Sequence, residues 1–281
     1  MRLAMIETGG RIHPAALRPD GSLVDLKAGG LTHYDDLEKY MEEGEPALRE
    51  AAAAAAGSRR SVKNFRLLCP LVRPEKIMCI GRNYADHAKE LGHDLPERPV
   101  LFAKYCNALA GPGESIPLPG VSRQVDYEAE LAVVIGKVCK NVSEKEALDY
   151  VFGYTCANDL TMRDAQNQDG QWTRAKSPDK FCPLGPWIVT RDEIADPQDL
   201  QIRLELNGAT MQESNTRQMV FGVAGLVSYL SVTMTLRPGD LLLTGTPPGV
   251  GAGRDPQVFL KLGDRLSVEI NGIGALENVI A

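Results

Sequence analysis

Apolar residues fall in short blocks along most of this chain, and two periods organise them. After residue 99 the blocks are mainly of β type: VLFAKY, LAVVIGKV, GPWIVT, IRLELNG, DLLLTG, VFLKLG and RLSVEING. Asn-Gly and Gly-Asp pairs punctuate them, as hairpin and turn chemistry requires. From LLCPLVRPEKIMCIG to the C-terminus, helical spacing is confined to ADHAKELG, EKEALDYVFG and VFGVAGLVSYLSVTM. Strands and helices do not alternate regularly, which argues against a doubly wound sheet. The pattern predicts a β-rich α+β fold with few short helices.

The first 65 residues read differently and predict a small N-terminal α/β domain ahead of a main domain over residues 73–281. RLAMIE and SLVDL read as strands joined by the turn RPDGS. LTHYDDLEKYMEEG reads as a helix capped by Thr32, with Asp35 three residues on and Leu37, Tyr40 and Met41 on one face. EPALREAAAAAAG reads as a second helix stopped by Gly57, followed by the polar connector SRRSVKNF.

Charge and composition narrow the function. The net charge is −6, and no Lys/Arg block is interleaved with aromatics, which argues against nucleic acid or an anionic membrane as the main partner. The six cysteines form no C-x-x-C pair, so reduced, mostly buried thiols are expected rather than disulfides or a zinc site. MRLAMIETGG has no apolar signal-peptide core, and no apolar run reaches membrane-spanning length. A cytoplasmic location is the expectation.

The stretch DYEAELAVVIG carries the first chemical signal. Alternation along a strand puts Asp126, Glu128 and Glu130 on one face, leading into an apolar run. Facing like charges cost up to roughly 1 kcal/mol per pair even when exposed. A solvated strand end or an ion-pair network would explain them without function. Asp159, in GYTCANDLTMRD, ends another apolar stretch, and carboxylates converging from two strand ends make a site for a hard cation such as Mg²⁺, Mn²⁺ or Ca²⁺.

Three further segments are candidates. His87 and Glu90, in GRNYADHAKELG, are three apart on a short helix and so face each other. A histidine held by a carboxylate can deprotonate a water, although the pair alone also reads as a surface hydrogen bond. His13, His33 and His93 lack such a partner and read as structural or exposed. Lys176, in WTRAKSPDKFCPLGPW, could stabilise an oxyanion, although its polar, Pro-rich surroundings read as a solvated loop. LLLTGTPPGVGAG lacks both phosphate-loop signatures and reads as a Gly/Pro-rich turn that could present Thr246 to a site.

Taken in order, KIMCIGRNYADHAKELG, LFAKYCNALAGPGESIPLP, VDYEAELAVVIGK, GYTCANDLTMRD, WTRAKSPDKFCPLGPW and RPGDLLLTGTPPGVG resemble the fumarylacetoacetate hydrolase family. The resemblance runs from about Pro74 to the C-terminus, and E-x-E, N-D-x-T-x-R-D and K-S-x-D in this order are its specific part. It implies a mixed β-roll with one central Mg²⁺ or Mn²⁺, in a chain that forms homodimers. Matched residue by residue, it makes Glu128, Glu130 and Asp159 the metal ligands and leaves Asp126 behind them. It makes His87 and Glu90 a catalytic pair on a lid helix, with Lys176 near the metal-bound oxygens. Arg82, Tyr84, Gln166 and Thr246 match positions that line the family's pocket.

That resemblance implies hydrolysis of the C–C bond of a 2,4-dioxo acid (an acylpyruvate) to pyruvate and a carboxylic acid. The substrate would be held on the metal as a 2-oxo acid and attacked by a water that His87 and Glu90 activate. The sequence is also compatible with two rivals. One is oxaloacetate decarboxylation, or isomerisation and decarboxylation of a hydroxymuconate-type diacid, at the same metal. The other is a non-catalytic protein whose acids bind a structural Ca²⁺.

Overall fold

Strand Ala129–Ile135 is buried along its whole length, because the protein covers it on both faces. In the computed structural model, which describes all residues except 59, 60, 91 and 93, it pairs antiparallel with Val151–Asn158 and with Leu241–Leu243. Alternation then divides its side chains between two cores. Leu131, Val133 and Ile135 pack with Tyr154, Ile202, Leu204, Val268 and Leu276, and with Leu226, Val227 and Leu230 of helix Val223–Thr233. Ala132 and Val134 face the opposite way, into a cluster with Leu3, Met5, Leu37, Tyr40, Met41, Ala47 and Ala51. Each fully buried Leu or Val contributes about 1.5–3 kcal/mol, so a continuous apolar run is what a two-sided strand needs.

The large sheet runs in the spatial order Leu23–Asp25, Arg11–Leu17, Arg2–Thr8, Cys182–Thr190, Val151–Asn158, Ala129–Ile135, Leu241–Leu243, Ile77–Gly81, Val100–Lys104. Leu241–Leu243 and Ile77–Gly81 pair in parallel, while the other neighbours on this path are antiparallel. A second sheet holds Ala209–Asn215, Gln201–Leu206, Arg265–Ile270, Gly274–Ile280 and Ser115–Ile116. The fold is α+β and sheet-rich, as the sequence predicts. The leading segment hydrogen-bonds directly into the large sheet, with Arg2 opposite Val189 and Leu3 opposite Ile188. Among the described residues, no helix is long and apolar enough to cross a membrane.

Several elements differ from the sequence reading. RLAMIE and SLVDL are not consecutive strands: Arg11–Leu17 lies between them and pairs with both. Its hairpin turns at Gly9-Gly10, both at positive φ (56° and 71°), a two-residue turn obscured by the poor strand-former Pro14. The first helix is Leu37–Glu43, and its cap is Asp36, whose carboxylate accepts from Lys39 N, rather than Thr32. The second helix, Glu45–Gly57, ends where expected. EKEALDYVFG is α-helical over Glu144–Ala147 and continues as a 3-10 turn over Leu148–Tyr150, but its Val151 opens a strand. VFLKLG forms no strand, because its amides go to separate partners: Val258 N to Gly251 O, Leu260 N to Val125 O. All six cysteines are free; Cys79, Cys139, Cys156 and Cys182 are buried, Cys69 is half-buried and Cys106 is exposed.

Candidate metal centre and active site

Glu128 and Asp159 meet because the ends of two paired strands are tied together by one backbone and one side-chain hydrogen bond. Asp159 N donates to Glu128 O at 2.9 Å, and Glu128 N donates to Asn158 Oδ1 at 2.9 Å. Glu130, two residues along, lies beside them, and carboxylate oxygens of all three are within 4.8 Å of one another. All three residues are buried. Asp126 does not join them, because the strand breaks over residues 127 and 128. The shared face expected for three alternating acids therefore holds only for Glu128 and Glu130.

Cations surround this cluster. Lys176 Nζ donates to Glu128 Oε2 at 2.6 Å and to Asp159 Oδ2 at 2.7 Å. Lys104 Nζ donates to Asp159 Oδ1 at 2.6 Å. Arg163 Nη2 pairs with Glu128 Oε1 at 2.6 Å, while its Nε donates to Asp126 Oδ2 at 2.8 Å. Burial raises the Glu128 carboxyl, but Lys176 and then Arg163 outweigh it and hold it down at about 2. Burial lowers the Lys176 ammonium, but Asp159 and Glu128 overcome it and bring it up to about 12.

Glu130 is the exception. It accepts one hydrogen bond, from Gly245 N at 2.6 Å, and among the described residues it has no ion-pair partner. Burial first, then Asp159 and Glu128, push its carboxyl well above the usual range. Four buried acids (Asp126, Glu128, Glu130, Asp159) thus face three buried cations (Lys104, Arg163, Lys176). Because Arg163 is shared between Glu128 and Asp126, which lies outside the cluster, the group as a whole is one positive charge short, and the shortage falls on Glu130. An all-carboxylate donor set, free of Cys and His, fits a hard divalent cation.

A cavity of about 360 Å³ opens beside the cluster, lined among others by Glu128, Glu130, Arg163, Lys176, His87 and Phe102. His87, on helix Ala85–Glu90, is buried, and its Nδ1 lies 3.1 Å from Glu90 Oε2. The surface-hydrogen-bond reading of this pair is therefore overturned. Glu90 Oε1 in turn accepts from Gly249 N at 2.8 Å. Lys176 is likewise not a solvated loop residue: it ends the short helix Thr173–Lys176 and is 2% exposed. Its polar sequence neighbours hid a side chain that the acids draw inward.

Arg82, Gln166 and Thr246 line the cavity as expected. Arg82 lies 5.7 Å over the Trp172 ring and adopts φ 56°, a strained conformation for a residue with a Cβ. Gln166 Oε1 accepts from Arg163 Nη1 at 3.1 Å. Thr246 Oγ1 accepts from Gln212 Nε2 at 2.8 Å. Tyr84 does not line the cavity: it is fully buried, its backbone bridges Met219, and its hydroxyl has no partner among the described residues. His13 and His33 lie outside the cavity, and His93 falls outside the described residues. Lys104 and Arg163 are site residues that the sequence reading passed over. Strand alternation offered a signal for Lys104, since the burial of Val100–Lys104 turns Phe102 and Lys104 inward together.

Comparison with known proteins agrees with this geometry. Residues 76–281 match the family described as fumarylacetoacetate (FAA) hydrolase C-terminal. The chain belongs to the fumarylacetoacetate hydrolase family. It is 44% identical to the mitochondrial oxaloacetate tautomerase fahd2 of Xenopus laevis, over 100% of this chain and 90% of that protein. Among solved structures, a fumarylacetoacetate hydrolase from psychrophilic Exiguobacterium antarcticum is similar at 36% identity and a TM-score of 0.90, covering 100% of this chain and 99% of that one. Maleylpyruvate hydrolase from Sphingobium sp. SYK-6, solved with manganese(II) and pyruvate, is similar at 32% identity and a TM-score of 0.83, with the same coverages. Enzymes of this family thus carry out varied reactions, and manganese is bound in one of these relatives.

Proposed function

We propose that this chain is a divalent-metal-dependent enzyme that moves a proton at carbon 3 of a 2-oxo acid, with keto–enol tautomerisation of oxaloacetate as its reaction. The observation that carries the reading is the buried His87, held by the half-buried Glu90, on the wall of the same cavity as the acid cluster. Glu128, Glu130 and Asp159 would hold one Mg²⁺ or Mn²⁺. When bound, the cation supplies Lewis acidity toward the carboxylate and 2-oxo oxygens of the substrate.

The chain's own residues account for the remainder. Glu90 engages His87 Nδ1, which leaves Nε2 as the ring nitrogen for proton transfer. His87 takes the carbon-3 proton of the keto form. The enolate 2-oxygen then gains a proton from the imidazolium or from water to give the enol, and the two transfers run in the opposite order for ketonisation. Arg163 and Lys176, both lining the cavity, stabilise the negative charge that develops on the 2-oxygen. Thr246, held by Gln212, and Gln166, held by Arg163, orient the substrate carboxylate. A structural Ca²⁺ would call for about 6–8 oxygen ligands. Three carboxylates beside an open cavity suit a cation that shares its ligands with a substrate.

C–C hydrolysis of a 2,4-dioxo acid is the second reading, favoured by the likeness to maleylpyruvate hydrolase. There His87 would take its proton from water rather than from carbon 3. The two separate in one assay series: loss of enol absorbance from oxaloacetate, and pyruvate release from 2,4-dioxo acids, each with Mg²⁺, Mn²⁺ or chelator. Metal-dependent enol loss without pyruvate supports tautomerisation, and pyruvate release supports hydrolysis. Neither product would remove both.

Arg82 has no carboxylate partner among the described residues and borders the cavity beside Trp172. It is placed to meet a second, distal carboxylate. Arg82→Ala should therefore raise KM for oxaloacetate by about 10-fold or more, the effect of losing one charge-assisted contact. It should change KM for a 2-oxo monocarboxylate by less than about 3-fold. Equal effects on both would remove Arg82 from substrate selection.

A further inference from the structure

Asp126 is fully buried and takes no part in the acid cluster. Its contacts give it a different task. Oδ1 accepts from Gly251 N at 2.7 Å and from Tyr127 N at 2.8 Å. Oδ2 accepts from Ala252 N at 3.0 Å and from Arg163 Nε at 2.8 Å. One carboxylate thus fastens the 249–252 turn to the arginine on the cavity wall.

The same turn reaches the catalytic pair from its other end. Gly249 N donates to Glu90 Oε1 at 2.8 Å, and Glu90 Oε2 lies against His87. The turn itself is tightly seated: Gly249 O accepts from Tyr127 Oη and from Arg254 Nε, each at 3.2 Å. Its glycines are required by close approach. A Cβ on Gly251 would sit 1.8 Å from Val258 O and 2.7 Å from Asp126 Oδ1. A Cβ on Gly253 would sit 2.5 Å from both Cγ and Cδ of Glu90. The backbone is therefore pressed against both acids at once, two residues apart.

The geometry points to Asp126 as a positioning residue that, through the Gly249–Ala252 turn, sets Glu90 and Arg163 in fixed relation to each other. The general acid–base pair and the charge-stabilising arginine come from helices Ala85–Glu90 and Arg163–Asp169, far apart in sequence. Asp126 and its turn join them. This explains why a Gly/Pro-rich segment without a phosphate signature sits at the cavity. The kinetic part of the inference rests on the proposed proton-transfer function; the structural coupling does not.

Two variants test it. Asp126→Asn keeps the shape but sets an amide N–H₂ against donors, which should loosen both the turn and Arg163. Amide hydrogen exchange over residues 85–90 should then speed up by about 10-fold or more, although Asp126 touches none of them. Gly253→Ala presses on Glu90 directly and gives the reference for a disturbed pair, and Asp126→Ser is the second variant if Asp126→Asn does not fold. On oxaloacetate, each should lower kcat by about 10-fold with a smaller change in KM. Combined with Glu90→Gln, each loss should shrink to less than about 3-fold, because the turn acts through Glu90. Unchanged exchange over 85–90 in the folded Asp126 variant, or kinetic losses that multiply with Glu90→Gln, would overturn the inference. The exchange result does not depend on which reaction is catalysed, so an incorrect reaction assignment is recognised separately.

Discussion

Replacing His87 by alanine should lower kcat/KM for oxaloacetate by about 10²–10⁴, the usual contribution of a positioned general acid–base. Mn²⁺ affinity should change by less than about 2-fold, because His87 is no member of the acid cluster. The separation of these two effects is the informative part. The His87 ring is buried, so its removal also leaves a gap on the cavity wall, and a stability loss of up to about 2 kcal/mol is compatible with this account. A folded, metal-binding variant with wild-type turnover would not be. Calorimetric Mn²⁺ titration and steady-state kinetics on the same preparation decide it.

Glu130→Gln should act in opposite directions on the metal-free and metal-loaded protein. Burial and two neighbouring carboxylates raise the Glu130 carboxyl well above its ordinary value of 4.5. A raised acid contributes its stability below the ordinary value and loses it as pH rises toward the folded-state value. At neutral pH the metal-free wild type therefore carries a destabilising tendency that glutamine, able to accept the same Gly245 N–H, does not. The metal-free variant should melt a few degrees above the metal-free wild type, the shift that roughly 1 kcal/mol gives at this chain length. The difference should close as pH falls toward 4.5. Mg²⁺ or Mn²⁺ should raise the melting temperature of the wild type only, with affinity in the variant down by at least about 100-fold. A variant that melts lower without metal, or still gains from it, contradicts the charge-deficient cluster.

Much of this site was legible because its residues obey local rules. Two-residue alternation places Glu128 and Glu130 on one face at the end of an apolar strand, and three-residue helical spacing places Glu90 against His87. What escaped were the features set by long-range pairing. Lys176 reads as solvated because its neighbours are polar, yet it is drawn between Glu128 and Asp159. Asp126 reads as a third acid on the strand face, but a local break turns it toward Arg163 and Gly251. VFLKLG has a strand's composition without a partner edge, whereas Arg11–Leu17 has a Pro and two partners. Composition measures the tendency to pair, and the available partner decides the outcome.

The most direct test of the central claim is deuterium uptake at carbon 3 of oxaloacetate in heavy water, followed by NMR. Four samples are compared, each against a protein-free control with the same metal: wild type with Mg²⁺, wild type with chelator, His87→Ala with Mg²⁺, and Glu130→Gln with Mg²⁺. The account predicts enzyme-dependent exchange in the first sample and none above the control in the other three. Exchange that persists with chelator or without His87, or its absence from the first sample, would contradict a metal-assisted proton transfer by this histidine.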